Sequence, residues 1–272
     1  MDALRQIDSW PSTTAAAALV RPGGVVAAHG PADSVLKWAS VTKLATALAT
    51  LVAVEEGVVD LDQPAGPPGA TLRHLLAHTA GYAFDEATLL AEPGRKRIYS
   101  NIGIEQAAAV VEEAAGIPFA DYLRDAVLAP LGITAELRGS PAHGLRSTIG
   151  ELALLGQELL APSLVAPETL AEATTVVFPG LSGVLPLFGR HDPNDWGLGF
   201  ELRDGKSPHW TGTRNSARTF GHFGGSGSFL WVDPQAGVAL ACLTDLEAGP
   251  WIRDAWPRLS DDVLAAIAAG PA

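Results

Sequence analysis

Ser228-Phe-Leu-Trp-Val-Asp-Pro-Gln-Ala-Gly-Val-Ala-Leu-Ala-Cys-Leu-Thr244 decides the fold. Two apolar runs, 228–232 and 237–244, flank Asp233-Pro-Gln-Ala236, a turn signal, so the segment reads as two antiparallel strands. The opposite end of the chain carries a similar pair. Runs 16–20 and 24–29 are joined by Arg21-Pro-Gly-Gly24, and 14–29 reads as a hairpin. Between these ends the periodicity is helical. Helices are expected over 40–56, stopped by Gly57, and over 71–78, ended by Gly81. Further helices are expected over 105–115, from Pro118 to about 131, over 147–160 with Ser147 as a possible cap, and over 260–269. A further strand is expected over 196–202. Strands at both ends with helices between them predict an α+β chain. Its antiparallel β-sheet is flanked by helices, with an adjoining helical subdomain. We expect a single domain over 1–272, made of a sheet part (about 1–60 and 195–272) and a helical insert (about 61–194).

Composition narrows the function. The chain has 272 residues, 47% hydrophobic and 18% charged, with a formal net charge of −12. Such an acidic surface repels phosphate backbones and anionic lipid, so nucleic acid is not an expected partner. Arg95-Lys-Arg97 is the longest basic cluster. Cys242, the single cysteine, excludes an internal disulfide and reads as a buried strand hydrophobe. The start, Met-Asp-Ala-Leu-Arg-Gln-Ile-Asp, lacks the charged and apolar regions of a secretory leader. The expected location is cytoplasmic, with a secreted mature form left open. The run 44–54 is too short to span a bilayer.

Three motifs stand in order: Ser40-Val-Thr-Lys43, Tyr99-Ser-Asn101 and His222-Phe-Gly-Gly225. Each is common alone, and the order carries the reading. Ser and Lys three apart share a helix face, and a first helical turn aims free N–H groups at Ser40. Burial and the helix dipole lower the pKa of Lys43, so a neutral amine can take the seryl proton. Ser34-Val-Leu-Lys37 also fits the pattern, but no helix follows it. Tyr99 is a second candidate base. Bringing a phenol near neutrality needs about 4 kcal/mol, which one cation at about 4 Å supplies at an effective dielectric of 20. The expectation is that Lys43 does this, as a coupled pair. Asn101 is placed to hold a substrate amide or the Lys43 amine. Gly224 and Gly225 allow close backbone approach, and an N–H there, with that of Ser40, would form an oxyanion hole.

These residues resemble the serine β-lactamase and penicillin-binding-protein superfamily. The Y-x-N form of the second motif is similar to the class C β-lactamase-like branch, with its D-alanyl-D-alanine carboxypeptidases and family VIII esterases. Leu72-Arg-His-Leu-Leu-Ala-His-Thr-Ala-Gly81, Pro93-Gly94, Pro130-Leu-Gly132 and Phe220-Gly-His-Phe-Gly-Gly225 extend the resemblance over about 15–245. It implies that Ser40 is the acylated nucleophile, Lys43 its activating partner and Tyr99 the general base. Asn101 would orient substrate. His222 stands where many members carry Lys. Neutral His is a poor anchor for a carboxylate, which favours small esters or amides over β-lactams or D-peptides. No cofactor is implied. The chain is also short for this branch.

Three other readings were weighed. The first is a non-catalytic binding protein on the same scaffold. The second is a metal site at His74 and His78, which are i,i+4 but lack the intervening Glu of H-E-x-x-H. The third is a triad of Ser226, His222 and Asp245, without a G-x-S-x-G elbow. Asp192, Asp195 and Asp204 read as solvated, and Trp196, Trp210 and Trp231 as core or pocket wall. Substrate identity and oligomeric state are not legible.

Overall fold

The two terminal strand pairs meet at the centre of one sheet. In a computed structural model, which describes residues 1–270, β1 (Ala15–Arg21) and β2 (Gly24–His29) form the first hairpin. The short strand β3 (Leu36–Lys37) pairs with β4 (Arg146–Ser147), and β5 (Gly183–Leu185) with β6 (Gly189–His191). The large sheet is completed by β7 (Glu201–Leu202), β8 (Phe220–Phe223), β9 (Phe229–Asp233) and β10 (Val238–Thr244). Its order is β2-β1-β10-β9-β8-β7, antiparallel throughout, with Ala16 opposite Leu243 and Ala18 opposite Ala241.

Every residue of β9 and β10 is buried because both faces of the sheet are covered. Ala16, Ala18, Val20, Leu230, Val232, Ala239 and Ala241 lie on the face covered by α5 (Ile149–Leu160), in one core with α1 (Thr42–Glu55) and α3 (Asn101–Ala115). Ala17, Leu19, Phe229, Trp231, Leu240 and Cys242 face the 3-10 helix Asp2–Ser9 and α7 (Ile252–Ala268). The period of two along each strand makes this division. Burial pushes the Cys242 thiol pKa up, so it is an inert core group. Between the ends run α2 (Leu72–Leu76), α4 (Phe119–Leu123, continued by the π-turn Arg124–Leu128) and α6 (Pro167–Ala173).

Several boundaries differ from the sequence expectation. The cap of α5 is Thr148, not Ser147: Thr148 and Glu151 form a reciprocal capping box. Ser147 instead accepts the Trp38 indole N–H at 2.8 Å. Helix α3 starts four residues early because Ser100 caps it, accepting from the Gly103 N–H at 3.2 Å. Helix α7 starts at Ile252, with Pro257 inside its early turns rather than before its start. The strand expected over 196–202 shrinks to Glu201–Leu202, because the Gly197 N–H turns back onto the Phe200 carbonyl at 2.9 Å.

Beside the sheet edge, Glu201 is fully buried. Its carboxylate takes bonds from Lys206 (2.6 Å) and the Trp210 indole (2.7 Å), and it faces His209 at 2.9 Å. These partners outweigh desolvation and hold its pKa at about 2. No helix among the described residues is long and apolar enough to cross a membrane.

Candidate active site

The nucleophile candidate lies in a strained turn. Ser40 belongs to a 3-10 turn, Ala39–Val41, that runs directly into α1. Ala39 has φ 46°, a left-handed conformation that costs a non-glycine residue on the order of 1 kcal/mol or more. The Val41 N–H bonds the Trp38 carbonyl at 3.1 Å, and the Trp38 N–H bonds the Leu145 carbonyl at 3.0 Å, so the turn is anchored from both sides. Among the described residues the Ser40 N–H has no acceptor, as expected of a first-turn donor.

One turn on from Ser40, at the second residue of α1, Lys43 is fully buried. Its Nζ lies 2.6 Å from Asn101 Oδ1, 3.0 Å from the Ala142 carbonyl and 3.2 Å from Ser40 Oγ. Burial lowers its pKa to about 7, against the opposing pull of Asp85 and Glu105. As an ammonium Nζ can donate to all three partners; the lowered pKa gives it access to the neutral amine as well. Asn101 Oδ1 and the Ala142 carbonyl only accept, so they take the two N–H protons. The lone pair is then left for the Ser40 hydroxyl.

Tyr99 departs from expectation. Lys43 lies over its ring, 4.8 Å from the centroid, rather than against the phenol oxygen. Burial dominates and raises the phenol pKa well above its ordinary value, while a hydrogen bond with the Ser40 hydroxyl pulls weakly the other way. The resting group is therefore a phenol beside Ser40, and the amine is the one poised near neutrality. The pair splits oppositely to the sequence argument because burial of the phenol outweighs what the amine, 4.8 Å from the ring centroid, gives to a phenolate.

A ring of aromatic side chains surrounds Tyr99. His78 and Trp196 lie 4.8 and 5.7 Å from it, His222 5.6 Å, and Phe84 stacks at 5.7 Å with an interplanar angle of 26°. Trp196 thus lines the Tyr99 surroundings while belonging to the same buried core as Trp210 and Trp231. His222 is buried, and its Nδ1 donates to the Phe223 carbonyl at 2.7 Å, which leaves Nε2 as an unpartnered acceptor. Burial, then the nearby Lys43, lowers its pKa to about 3, so it is neutral at physiological pH.

Gly224 and Gly225 separate into two roles. The Gly224 N–H is committed to the Ser228 carbonyl at 2.8 Å, so it is not a free oxyanion donor. The Gly225 N–H has no acceptor among the described residues. With the Ser40 N–H it forms the candidate pair.

Sequence reasoning passed over three contributors. In sequence His78 reads only as a metal ligand, core or cap residue. Its carbonyl accepts the Ile98 N–H at 2.8 Å and its Nδ1 accepts the Ser100 N–H at 3.3 Å, bracketing Tyr99. Arg97, read as part of a basic cluster, is buried. It donates to the carbonyls of Ala77, Val177, Phe178 and Asn194, tying the Tyr99 segment to two distant loops. Asp85 accepts from Asn101 Nδ2 at 2.6 Å. No motif marks any of the three; a local H-T-x-G after an apolar helix was the nearest signal.

The competing constellations are not assembled. His74 caps α2, its Nδ1 taking the Thr71 N–H at 3.2 Å, while His78 serves the Tyr99 segment. No group of three or more metal-ligating side chains occurs among the described residues. Ser226 donates to the Lys37 carbonyl, and Asp245 accepts from Thr13 and Thr14, so neither is bonded to His222.

Comparison with known proteins follows the same lines. The Beta-lactamase family profile matches residues 11–135 and 134–265. The crystal structure of a beta-lactamase from Mycobacterium bovis superposes with a TM-score of 0.96 at 54% identity, covering 97% of this chain and 99% of that one. Penicillin-binding protein 4* of Bacillus subtilis is 28% identical over 189 residues, 56% of this chain and 41% of that protein. The D-alanyl-D-alanine-carboxypeptidase/endopeptidase AmpH of Escherichia coli is 27% identical over 150 residues, 42% of this chain and 38% of that protein. The chain thus spans about two fifths of the length of the curated relatives it matches. A profile that covers both halves, and a relative sharing almost the whole chain, converge on the lineage the site geometry resembles: the chain belongs to the Beta-lactamase family, whose members are serine hydrolases.

Proposed function

We propose that the chain hydrolyses small neutral esters or amides through an acyl-enzyme on Ser40. The observation that carries this is the Lys43 Nζ position, 2.6 and 3.0 Å from two obligate acceptors and 3.2 Å from Ser40 Oγ, so that in the neutral amine the two N–H bonds go to the acceptors and the lone pair is left for Ser40. Ser40 Oγ attacks the substrate carbonyl carbon as its proton passes to Lys43 Nζ. The Ser40 and Gly225 N–H groups receive the developing oxyanion. The tetrahedral adduct expels the alkoxide or amine, which takes a proton from the Tyr99 hydroxyl; Lys43 returns a proton to Tyr99. Water then attacks the acyl carbon by the same path and frees Ser40. The raised pKa of Tyr99 supports a relay role over a resting phenolate.

Neutral substrates are favoured because His222, with a pKa of about 3, carries no charge for a carboxylate, and the exposed side chain bonded to Asn101 is a further carboxyl group, Asp85. A second reading, β-lactam hydrolysis, is supported by the Mycobacterium bovis relative described as a beta-lactamase. Intact mass and turnover with a p-nitrophenyl ester and, separately, a penicillin test both. The expected result is an adduct mapping to the Ser40 peptide and kcat/KM at least roughly 10²-fold higher for the ester, the size of a lost charged hydrogen-bond partner. Preference for penicillin overturns the neutral-ester reading in favour of the second. No adduct and no turnover with either reagent favours a binding protein on this scaffold.

The same reading predicts the pH profile. The base must be unprotonated, so activity is full above the Lys43 pKa and is lost as pH falls through about 7. Ester kcat/KM measured from pH 5 to 9 checks this. An acid limb in the ordinary carboxylate range would transfer the role of base to another group.

A further inference from the structure

Resting on the hydrolase reading, we propose that Asp85 is a positioning residue for the base, fixing the Asn101 amide so that the Lys43 lone pair is aimed at Ser40. Asp85 lies outside all three sequence motifs, in an exposed segment between α2 and Tyr99. That segment is nonetheless fastened at three successive residues. Ser100 Oγ donates to the Ala83 carbonyl at 2.7 Å, the Asn101 N–H to the Phe84 carbonyl at 2.7 Å, and Asn101 Nδ2 to Asp85 Oδ1 at 2.6 Å.

Hydrogen-bond polarity sets the direction of the Asn101 amide. An Asn side chain has an accepting end and a donating end of nearly the same shape, and its neighbours decide which way it faces. An ionised carboxylate only accepts. Asp85 therefore captures Nδ2 and turns Oδ1 towards Lys43, where it lies 2.6 Å from Nζ. Nζ must donate to it, and must also donate to the Ala142 carbonyl at 3.0 Å. A neutral amine has two N–H bonds, so its lone pair is left for the Ser40 hydroxyl. With the amide reversed, Nδ2 would compete with Ser40 for that lone pair. One exposed carboxylate thus orders a chain of three side chains, Asn101, Lys43 and Ser40.

Asp85 also acts through its charge. The groups facing Lys43 are Asp85 from this segment, Glu105 from α3, Tyr99, His78 after α2 and His222 from β8. The histidines are held neutral by burial and Tyr99 is a phenol, so the anions opposing desolvation are Asp85, the larger, and Glu105. Asp85→Asn removes the larger one and supplies a donor that lets Asn101 reverse. Asp85→Glu keeps both the charge and the acceptor-only character.

Two readouts test this on the full chain. The first is direct titration of Lys43 by NMR of protein labelled at lysine Cε. The chain has four lysines, at 37, 43, 96 and 206, and Lys43→Arg identifies the signal. Its midpoint is expected near 7 in the native chain, at lower pH in Asp85→Asn, and near the native position in Asp85→Glu. The second is the rate at which a fluorophosphonate labels Ser40, measured above both midpoints. It is expected to fall roughly 10- to 100-fold in Asp85→Asn, the usual effect of losing a charge-assisted bond, while KM for the ester stays within about 3-fold. A Lys43 midpoint unmoved by Asp85→Asn overturns the proposal. So does equal loss of labelling in Asp85→Asn and Asp85→Glu. A raised KM with unchanged labelling overturns it too and makes Asp85 a substrate contact. The titration needs no substrate, so it decides the role of Asp85 even where ester turnover, and with it the hydrolase reading, fails.

Discussion

Replacing Lys43 with methionine is expected to silence the site as fully as replacing Ser40 with alanine. Residues that act as a unit fail together, and removing either member of a nucleophile–base pair costs roughly 10³-fold or more in kcat. In this chain the pair is tight, because Lys43 Nζ is the group placed to take the Ser40 proton and lies 3.2 Å from it. Methionine matches the length and burial of the lysine stem, so the core around α1 stays filled. The double variant should lose little more than either single one. A residual rate in Lys43→Met above roughly a tenth of native would assign the base to Tyr99 instead. Stability gives an independent check. The folded-state pKa of about 7 lies below the ordinary lysine value of 10.5, so between these values the unfolded chain holds a proton the folded chain lacks. Rising pH then favours the folded state across that window. Denaturant titrations at several pH values should show this gain in the native chain and its absence in Lys43→Met.

The order of the three motifs was legible, and so was the sheet, for physical reasons. Strands buried on both faces read as continuous apolar runs, as in Val238-Ala-Leu-Ala-Cys-Leu-Thr244, and a Pro-containing turn separates the last two. The helix starts were less legible. Ser100 and Thr148 cap their helices through side-chain geometry that neighbouring Ser and Thr residues mimic in sequence. At α7 the helix begins before the expected 260, and Pro257 is accommodated within it. The charge state of the site was legible only in part. Spacing placed Ser40 and Lys43 on one helix face, but whether a cation meets the oxygen or the face of Tyr99 is a matter of ångströms. Burial of the phenol, which no spacing in the sequence reports, decides the sign of its pKa shift. Asp85, His78 and Arg97 act through backbone carbonyls and an amide edge, and such partners leave no residue pattern to recognise.

Gly224→Ala is expected to disable the site from the other side, through the oxyanion donors rather than the base. A Cβ at Gly224 would lie 2.3 Å from the Trp38 carbonyl oxygen, 2.4 Å from Ser228 Oγ and 3.0 Å from Ala39 Cβ. Two of these contacts are to the backbone or Cβ of the turn that presents Ser40, which cannot rotate away as the end of a long side chain would. Ser228 Oγ is itself committed to the Trp38 carbonyl at 2.6 Å, and Ser226 Oγ to the Lys37 carbonyl at 2.8 Å. The β8–β9 turn and the nucleophile turn are therefore bolted together, and an added methyl must part them. Parting them separates the Ser40 N–H from the Gly225 N–H, the two free donors of the candidate oxyanion hole. Loss of one such donor costs about 3–4 kcal/mol of transition-state stabilisation, so kcat should fall roughly 10²- to 10³-fold. Overpacking should also destabilise the fold by about 1–3 kcal/mol, read as a lower Tm. Gly225→Ala is the control. A Cβ there meets nothing within 4 Å, and alanine keeps the N–H, so kcat and Tm should stay near native. If instead Gly224→Ala retained native kcat with only a lower Tm, the junction would be structural alone, and the oxyanion would have to be held by donors other than this pair.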